Sequence, residues 1–95
     1  MPRLIWSYAA TLDLARLHRF LVRKNADAAR RAIQSIRVGV KNLADQPQIG
    51  RVAENQKPEF RELLIGFGNS GYITLYHYAD NVITILSVRH QKEIE

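Results

Sequence analysis

The 95-residue chain contains no cysteine, which excludes a disulfide framework, a thiolate zinc site and a cysteine nucleophile. Its three prolines and five glycines form no low-complexity tract and no linker long enough to separate a pair of domains, and no segment repeats. No apolar run approaches the roughly 18 residues a membrane-spanning helix needs, and the opening Met-Pro-Arg-Leu-Ile-Trp lacks the apolar stretch of a secretory leader. Acids are scarce: nine Asp and Glu face fourteen Lys and Arg, for a net charge of +5. With 46% hydrophobic and 24% charged residues, the composition is that of an ordinary globular protein. A single cytoplasmic domain spanning residues 1–95 is the expectation, with a modest core that buries about two-thirds of the unfolded surface.

The charge is unevenly placed. Residues 1–46 carry nine basic groups against Asp13, Asp27 and Asp45, a balance of +6, whereas residues 47–95 carry five against six acids, a balance of −1. A positive first half suits an anionic partner, either nucleic acid or an acidic protein segment. Solvated helix faces are the plainer account of the same charges.

Leu4-Ile5-Trp6 reads as a brief strand, and Ser7 as the N-cap of a helix from Tyr8 to about Lys24. Ala10, Leu14, Leu17 and Leu21 fall on one face of that helix, with Arg16, Arg19 and Arg23 opposite. Asp27 is placed to cap a second helix from about Ala28 to Leu43 or Ala44, whose stripe is Ala29, Ile33, Ile36, Val40 and Leu43. Arg30, Gln34, Arg37 and Lys41 take its outward face, and Gly39 marks a close approach to a neighbouring backbone. The short break between the helices predicts an antiparallel hairpin. Residues 47–59 read as a polar loop. Three strands follow: Phe60–Ile65, a glycine-rich turn over 66–71, Tyr72–Ala79, a tight Asp80-Asn81 turn, and Val82–Val88. Tyr72, Thr74, Tyr76 and Tyr78 share one face of the second. In the third, Ile83 and Ile85 oppose Val82, Thr84, Leu86 and Val88, which predicts a central strand. The expected class is α+β in the order β-α-α-β-β-β, a short N-terminal strand and a two-helix hairpin packed on an antiparallel sheet.

Standard catalytic signatures are missing. Gly66-Phe-Gly-Asn-Ser-Gly71 matches GxGxxG in letters only, since it joins two strands and opens no helix whose N-terminus could cradle phosphate. His18, His77 and His90 have no metal-ligand spacing, so no metal and no cofactor are expected. His90 closes the last strand beside Arg89 and Lys92, where an imidazole can move a proton on RNA or simply end a strand by bonding its backbone. Arg61 offers a rigid fork for carboxylate or phosphate, or stays in solvent beside Glu62. Tyr72, Tyr76 and Tyr78 can stack on bases, although alternation of this kind usually serves cross-strand packing.

Several segments in order, over nearly the whole chain, resemble the RelE/ParE toxin superfamily of bacterial type II toxin–antitoxin systems. They are Ile5-Trp6-Ser7-Tyr8-Ala9-Ala10 with Asp13-Leu14, Ala28-Ala29, Leu43-Ala44-Asp45-Gln46-Pro47 and Gly50-Arg51, then Phe60-Arg61-Glu62-Leu63, Tyr72-Ile73-Thr74-Leu75-Tyr76 and Ile85-Leu86-Ser87-Val88-Arg89-His90. The resemblance implies a helical hairpin on an antiparallel sheet, a toxin activity and a neutralising antitoxin. RelE-like members cleave mRNA on the ribosome with several basic side chains and a terminal tyrosine or histidine. For that branch the residues here would be Arg61, Arg89 and His90, but Leu63 and Ile73 stand where the nucleases tend to be basic. ParE-like members inhibit DNA gyrase, and the Gly50-Arg51 loop, the Arg61-Glu62-Leu63 strand start and the Arg89-His90 ending resemble them more closely. That branch implies a target-binding surface at Arg51, Arg61, Arg89 and His90, with a ParD-like antitoxin in a hetero-oligomer. The antitoxin's acidic segment would fold onto the positive helical hairpin at Arg16, Arg19 and Arg23. A third reading is an interaction protein that keeps the fold without toxicity.

Overall fold

The computed structural model describes residues 1–93. Strand β1 (Arg3–Trp6) leads into helices α1 (Tyr8–Val22) and α2 (Ala26–Lys41) and a 3₁₀ turn at Asn42–Ala44. Strands β2 (Arg51–Val52), β3 (Phe60–Phe67), β4 (Ser70–Ala79) and β5 (Val82–His90) complete one sheet in the order β1-β5-β4-β3-β2.

Local chemistry explains the helix ends. Ser7 Oγ accepts from the Ala10 N–H at 3.1 Å, satisfying one of the free donors at the start of α1. The cap of α2 is Asn25 rather than Asp27, and the helix starts at Ala26, two residues earlier than expected. Lys24 and Asn25 both donate to Leu21 O, and this tight joint brings Asn25 Oδ1 to 3.0 Å from the Ala28 N–H. Asp27 lies instead in the first turn, where its carboxylate takes hydrogen bonds from Arg30 at 2.6 Å and Arg31 at 2.9 Å. Those bonds, Arg30 first, hold its pKa below the ordinary value.

Both apolar stripes turn onto the sheet. Ile36, Val40 and Leu43 meet Tyr72, Tyr76, Ile83, Ile85 and Val88, all essentially inaccessible, and full burial of each Ile, Leu or Val stabilises by about 1.5–3 kcal/mol. Ala10, Ala29 and Ala32 have no exposure. Gly39 does mark a close approach, but to a side chain: a Cβ there would stand 2.8 Å from Ile65 Cγ1.

The expected α+β order is present, with β2 to β5 antiparallel, and β1 adds a parallel pair with β5 from Arg3↔Val82 to Trp6↔Ile85. The intervening helices provide the crossover that a parallel pair needs. Strand β5 is interior, as expected, and lies between β4 and β1. Two sheet expectations are corrected. The loop over 47–59 contains β2, registered as Arg51↔Glu62 and Val52↔Arg61. The glycine-rich turn shrinks to Gly68-Asn69, with β3 running on through Phe67 and β4 beginning at Ser70. The Asp80-Asn81 turn is as expected, with both residues at positive φ.

Candidate functional site

Side-chain parity divides the sheet into two faces. Register pairs Arg61 with Tyr76, Leu63 with Thr74, and Tyr72 with His90, on the side the helices cover. One position along, Glu62 pairs with Leu75 and Arg51, and Ile73 with Arg89, on the open side. A β-bulge decides which side the end of β5 presents. Leu75 pairs with Ser87 but Tyr76 pairs with Ile85, so Leu86 is the extra residue. In an unbulged strand Ile83, Ile85, Ser87 and Arg89 would share one face. The extra residue turns Ser87 and Arg89 out, and brings Val88 into the core behind Ile83 and Ile85. The expected opposition of Val88 to those isoleucines is thereby reversed.

Helix α1 and its cap hold the bulge. Ser7 N–H donates to Ile85 O at 2.9 Å, and Ser7 Oγ donates to Leu86 O at 3.3 Å. Asp13 Oδ2 accepts from the Val88 N–H at 2.9 Å, while an Arg16 amino group donates to Val88 O at 3.3 Å. Beyond Ile85, where β1 has ended, backbone groups of β5 thus find side-chain partners on α1 and its cap.

A groove of about 740 Å³ opens on the uncovered face, where Ile73 and Leu75 lie among its lining. Arg16, Arg51 and Arg89 line it together with Asp13, Glu54, Glu62 and Glu93, so among the described residues carboxylates outnumber guanidinium groups by one. Arg51 pairs with Glu62 at 3.4 Å, and Arg16 pairs with Asp13 at 3.5 Å and with Glu93. Exposed pairs of this kind add little stability, but they cancel the field an anionic backbone would follow.

The four residues expected to form a target surface do not come together. Arg51 and Arg89 share the open face. Arg61 lies across from Tyr76 and donates to Gln48 O at 3.1 Å and Gly50 O at 2.7 Å, beside the Tyr76 hydroxyl that donates to Pro47 O at 2.8 Å. It thereby holds the loop before β2 and is neither left in solvent nor aimed at an anion from the open face. A Cβ on Gly50 would stand 2.7 Å from both Glu62 O and the Tyr76 hydroxyl, so the loop closes only on glycine. His90 stacks edge-on against Tyr72 at 5.3 Å, and its Nδ1 accepts from the Lys92 N–H at 3.1 Å. Tyr72 and Tyr76 are buried against the helices and present no ring for a base.

The arginines expected to meet the antitoxin also divide. Arg16 turns toward β5, whereas Arg19 and Arg23 are exposed. Arg19 lines a groove of about 590 Å³ with His18, Arg37 and Trp6, over Leu14 and Ile33. Among the described residues no carboxylate lines this groove, and the Arg37 guanidinium lies 6.0 Å from the centre of the Trp6 ring. Arg37 and Trp6 join Arg19 only through the packing of α2 and β1 against α1, which helical spacing alone does not reveal. Among the described residues no His, Asp or Glu side chains gather in a group that could hold a metal ion, and no helix is long and apolar enough to cross a membrane.

The family model described as "ParE toxin of type II toxin-antitoxin system, parDE" matches residues 4–95. The chain belongs to the ParE toxin family. It is therefore a type II toxin of the RelE/ParE superfamily, a class that acts with an antitoxin partner. Toxin RelE3 of Caulobacter vibrioides is 33% identical over 84 residues, covering 88% of each chain. Toxin RelE2 of the same organism is 27% identical over 90 residues, covering 95% of this chain and 96% of that one. A solved structure titled "Chromosomal ParDE TA system from P. aeruginosa" superposes with a TM-score of 0.76 at 25% identity, over 95% of this chain and 96% of that one. The ParE fold assignment and the strand–helix–helix–sheet order thus agree.

Proposed function

We propose that this ParE-family toxin acts by binding a protein target, DNA gyrase, through the open face of its sheet. The observation that carries this reading is the charge matching of the groove. Arg51 is paired with Glu62 and Arg16 with Asp13 and Glu93, around an apolar stretch at Ile73 and Leu75. A protein surface bearing both signs and some apolar area complements such a groove. Cleavage of RNA instead needs cations that oppose the charge growing on phosphorus and a group that moves the 2′-hydroxyl proton. His90 lies on the helix-covered side, across the sheet from Arg89. Arg51 and Arg89 are the target-binding residues in this reading, and Arg61 and His90 support the scaffold.

The test is a supercoiling assay with purified gyrase, relaxed plasmid, ATP and a titration of the toxin. Inhibition, or accumulation of cleaved plasmid, that an Arg89→Glu variant weakens is the expected result. The RelE names of the two Caulobacter relatives favour a second reading, ribosome-dependent mRNA cleavage. Unimpaired supercoiling together with new mRNA ends on translating ribosomes would replace the first reading by the second.

For neutralisation, we place an acidic segment of the antitoxin on the groove of Arg19, Arg37, His18 and Trp6, with Arg23 one turn beyond Arg19. Cations with no lining carboxylate among the described residues, above apolar side chains, suit an acidic segment that folds as it binds.

A further inference from the structure

Strand β3 has eight residues, yet β2 covers only Arg61 and Glu62. The hydrogen-bond ladder fixes which way the remainder points. Tyr78 N–H donates to Glu59 O, and Ala53 N–H donates to Phe60 O, each at 2.9 Å. Antiparallel pairing alternates from there, so Glu62, Leu64 and Gly66 turn their backbone groups away from β4. Glu62 meets β2. Leu64 and Gly66 each present an N–H and a C=O to the sheet edge, where no strand follows among the described residues, and Leu64 is 60% exposed.

Proteins usually blunt such an edge with charge, proline or a bulge. The opposite edge, β1, has Pro2 before it and Arg3 in its first position. The Leu63-Leu64-Ile65-Gly66-Phe67 stretch has neither device. Beside it a groove of about 520 Å³ runs under α2, with Val38 and Gly39 above Ile65 and Phe67. Among the described residues Arg31 is the sole charged group in its lining; its Nε donates to Asp27, which Arg30 also bonds, and its guanidinium lies 6.0 Å from the centre of the Phe67 ring. Val38 is 53% exposed although nothing polar requires it there.

We propose that this edge accepts an extended segment of a protein partner as an added strand, with an apolar residue over Val38 and Ile65 and an acidic residue at Arg31. Main-chain bonds to Leu64 and Gly66 supply the attachment, and the alternating side chains select the sequence. A second copy of the chain is the obvious competitor. Helix α2 carries Arg30, Arg31, Arg37 and Lys41 against Asp27 alone, so a two-fold pairing of β3 edges would set two strongly positive helices beside one seam. An acidic segment meets no such repulsion. The inference is independent of whether gyrase or mRNA is the target.

The experiment is amide exchange by NMR on the isotope-labelled full chain. The probe is the acetylated peptide Glu-Val-Thr-Val-Thr-Val-Thr-Glu at about 1 mM, a scale suited to a short segment that must order as it binds. Exchange at Leu64 and Gly66 should slow by about tenfold, while Ile65, already bonded to β4, stays unchanged. N-methylating one alternate set of peptide residues should abolish the protection, and methylating the other set should not. Arg31→Glu should transfer the preference to a peptide ended with Lys. Unchanged exchange at Leu64 and Gly66, or equal effects of both methylated sets, would overturn the proposal. Protection that grows with protein concentration in the absence of peptide would overturn it in favour of self-association.

Discussion

Two hydroxyl groups two residues apart on β4 make a direct comparison of used and unused polar atoms. Tyr76 donates to Pro47 O at 2.8 Å and accepts from the Gly50 N–H at 3.0 Å. Thr74, equally buried, has no partner for its Oγ1. Tyr76→Phe should therefore lower stability by about 1–3 kcal/mol in urea unfolding, because it leaves buried backbone groups unpaired. Thr74→Val should raise it by about 1 kcal/mol, because it removes an unsatisfied hydroxyl at nearly constant shape. Tyr76 and Tyr72, on the same face of β4, set the alkaline limit. Burial pushes the Tyr76 phenol above its ordinary value, with the Gly50 N–H and the Arg61 charge pulling the other way, and burial alone pushes Tyr72 up. A raised folded pKa favours the neutral phenol. The contribution is thus fully present below the unfolded value of about 10 and is lost as pH climbs through the folded one. Stability measured against pH should fall above about pH 10, and more shallowly in Tyr72→Phe, with tyrosinate absorbance as the parallel readout.

At the level of elements, periodicity identified most of what periodicity can carry. Ala10, Leu14 and Leu17 of the first stripe and Ile36, Val40 and Leu43 of the second share a core with the sheet, Leu21 and Ile33 pack partly buried against it, and the alternation of Tyr72, Thr74 and Tyr76 places these three inward. Three features lay outside its reach. A two-residue strand such as β2 has no period. The parallel β1–β5 pair depends on a crossover that no local pattern encodes. The bulge at Leu86 is the most consequential, because a shift of one residue reverses every later side chain. Apolar residues on both sides of Val82–Val88 were the trace it left in the sequence, and they were equally consistent with a doubly buried strand. Arg89 and His90 are adjacent in sequence and lie on opposite faces whatever the phase. The bulge decides which of them meets the open groove. Asp13 is the side chain that makes that choice durable, through its bond to the Val88 N–H at 2.9 Å. Asp13→Ala should cost about 1–3 kcal/mol and speed exchange of the Val88 amide well before the rest of β5. Asp13→Asn keeps an acceptor and should retain most of the protection. Equal, global loss in both variants would show that the carboxylate acts on the whole fold rather than on the bulge.

Over the whole molecule, the excess of +6 in residues 1–46 is distributed unequally between two grooves. Among the described residues, the helix-side groove holds Arg19, Arg37 and His18 with no lining carboxylate, whereas the open-face groove sets its arginines beside Asp13, Glu54, Glu62 and Glu93. Long-range steering depends on unmatched charge and decays over a screening length of about 8–10 Å at ordinary ionic strength. The two partners should therefore respond differently to salt. Association with the antitoxin should slow by tenfold or more between about 50 and 500 mM salt, the behaviour of steered encounters, while inhibition of the target changes little. Reversing Arg19 and Arg23 to Glu should slow the antitoxin's association at low salt and flatten its salt dependence, since the variant begins without the field that salt removes from the native toxin. Stopped-flow association rates and supercoiling inhibition over one salt series measure both slopes. Equal slopes would mean that charge placement does not separate the two surfaces. The antitoxin would then depend on the apolar floor at Trp6, Leu14 and Ile33, and Ile33→Ala would weaken it more than either charge reversal.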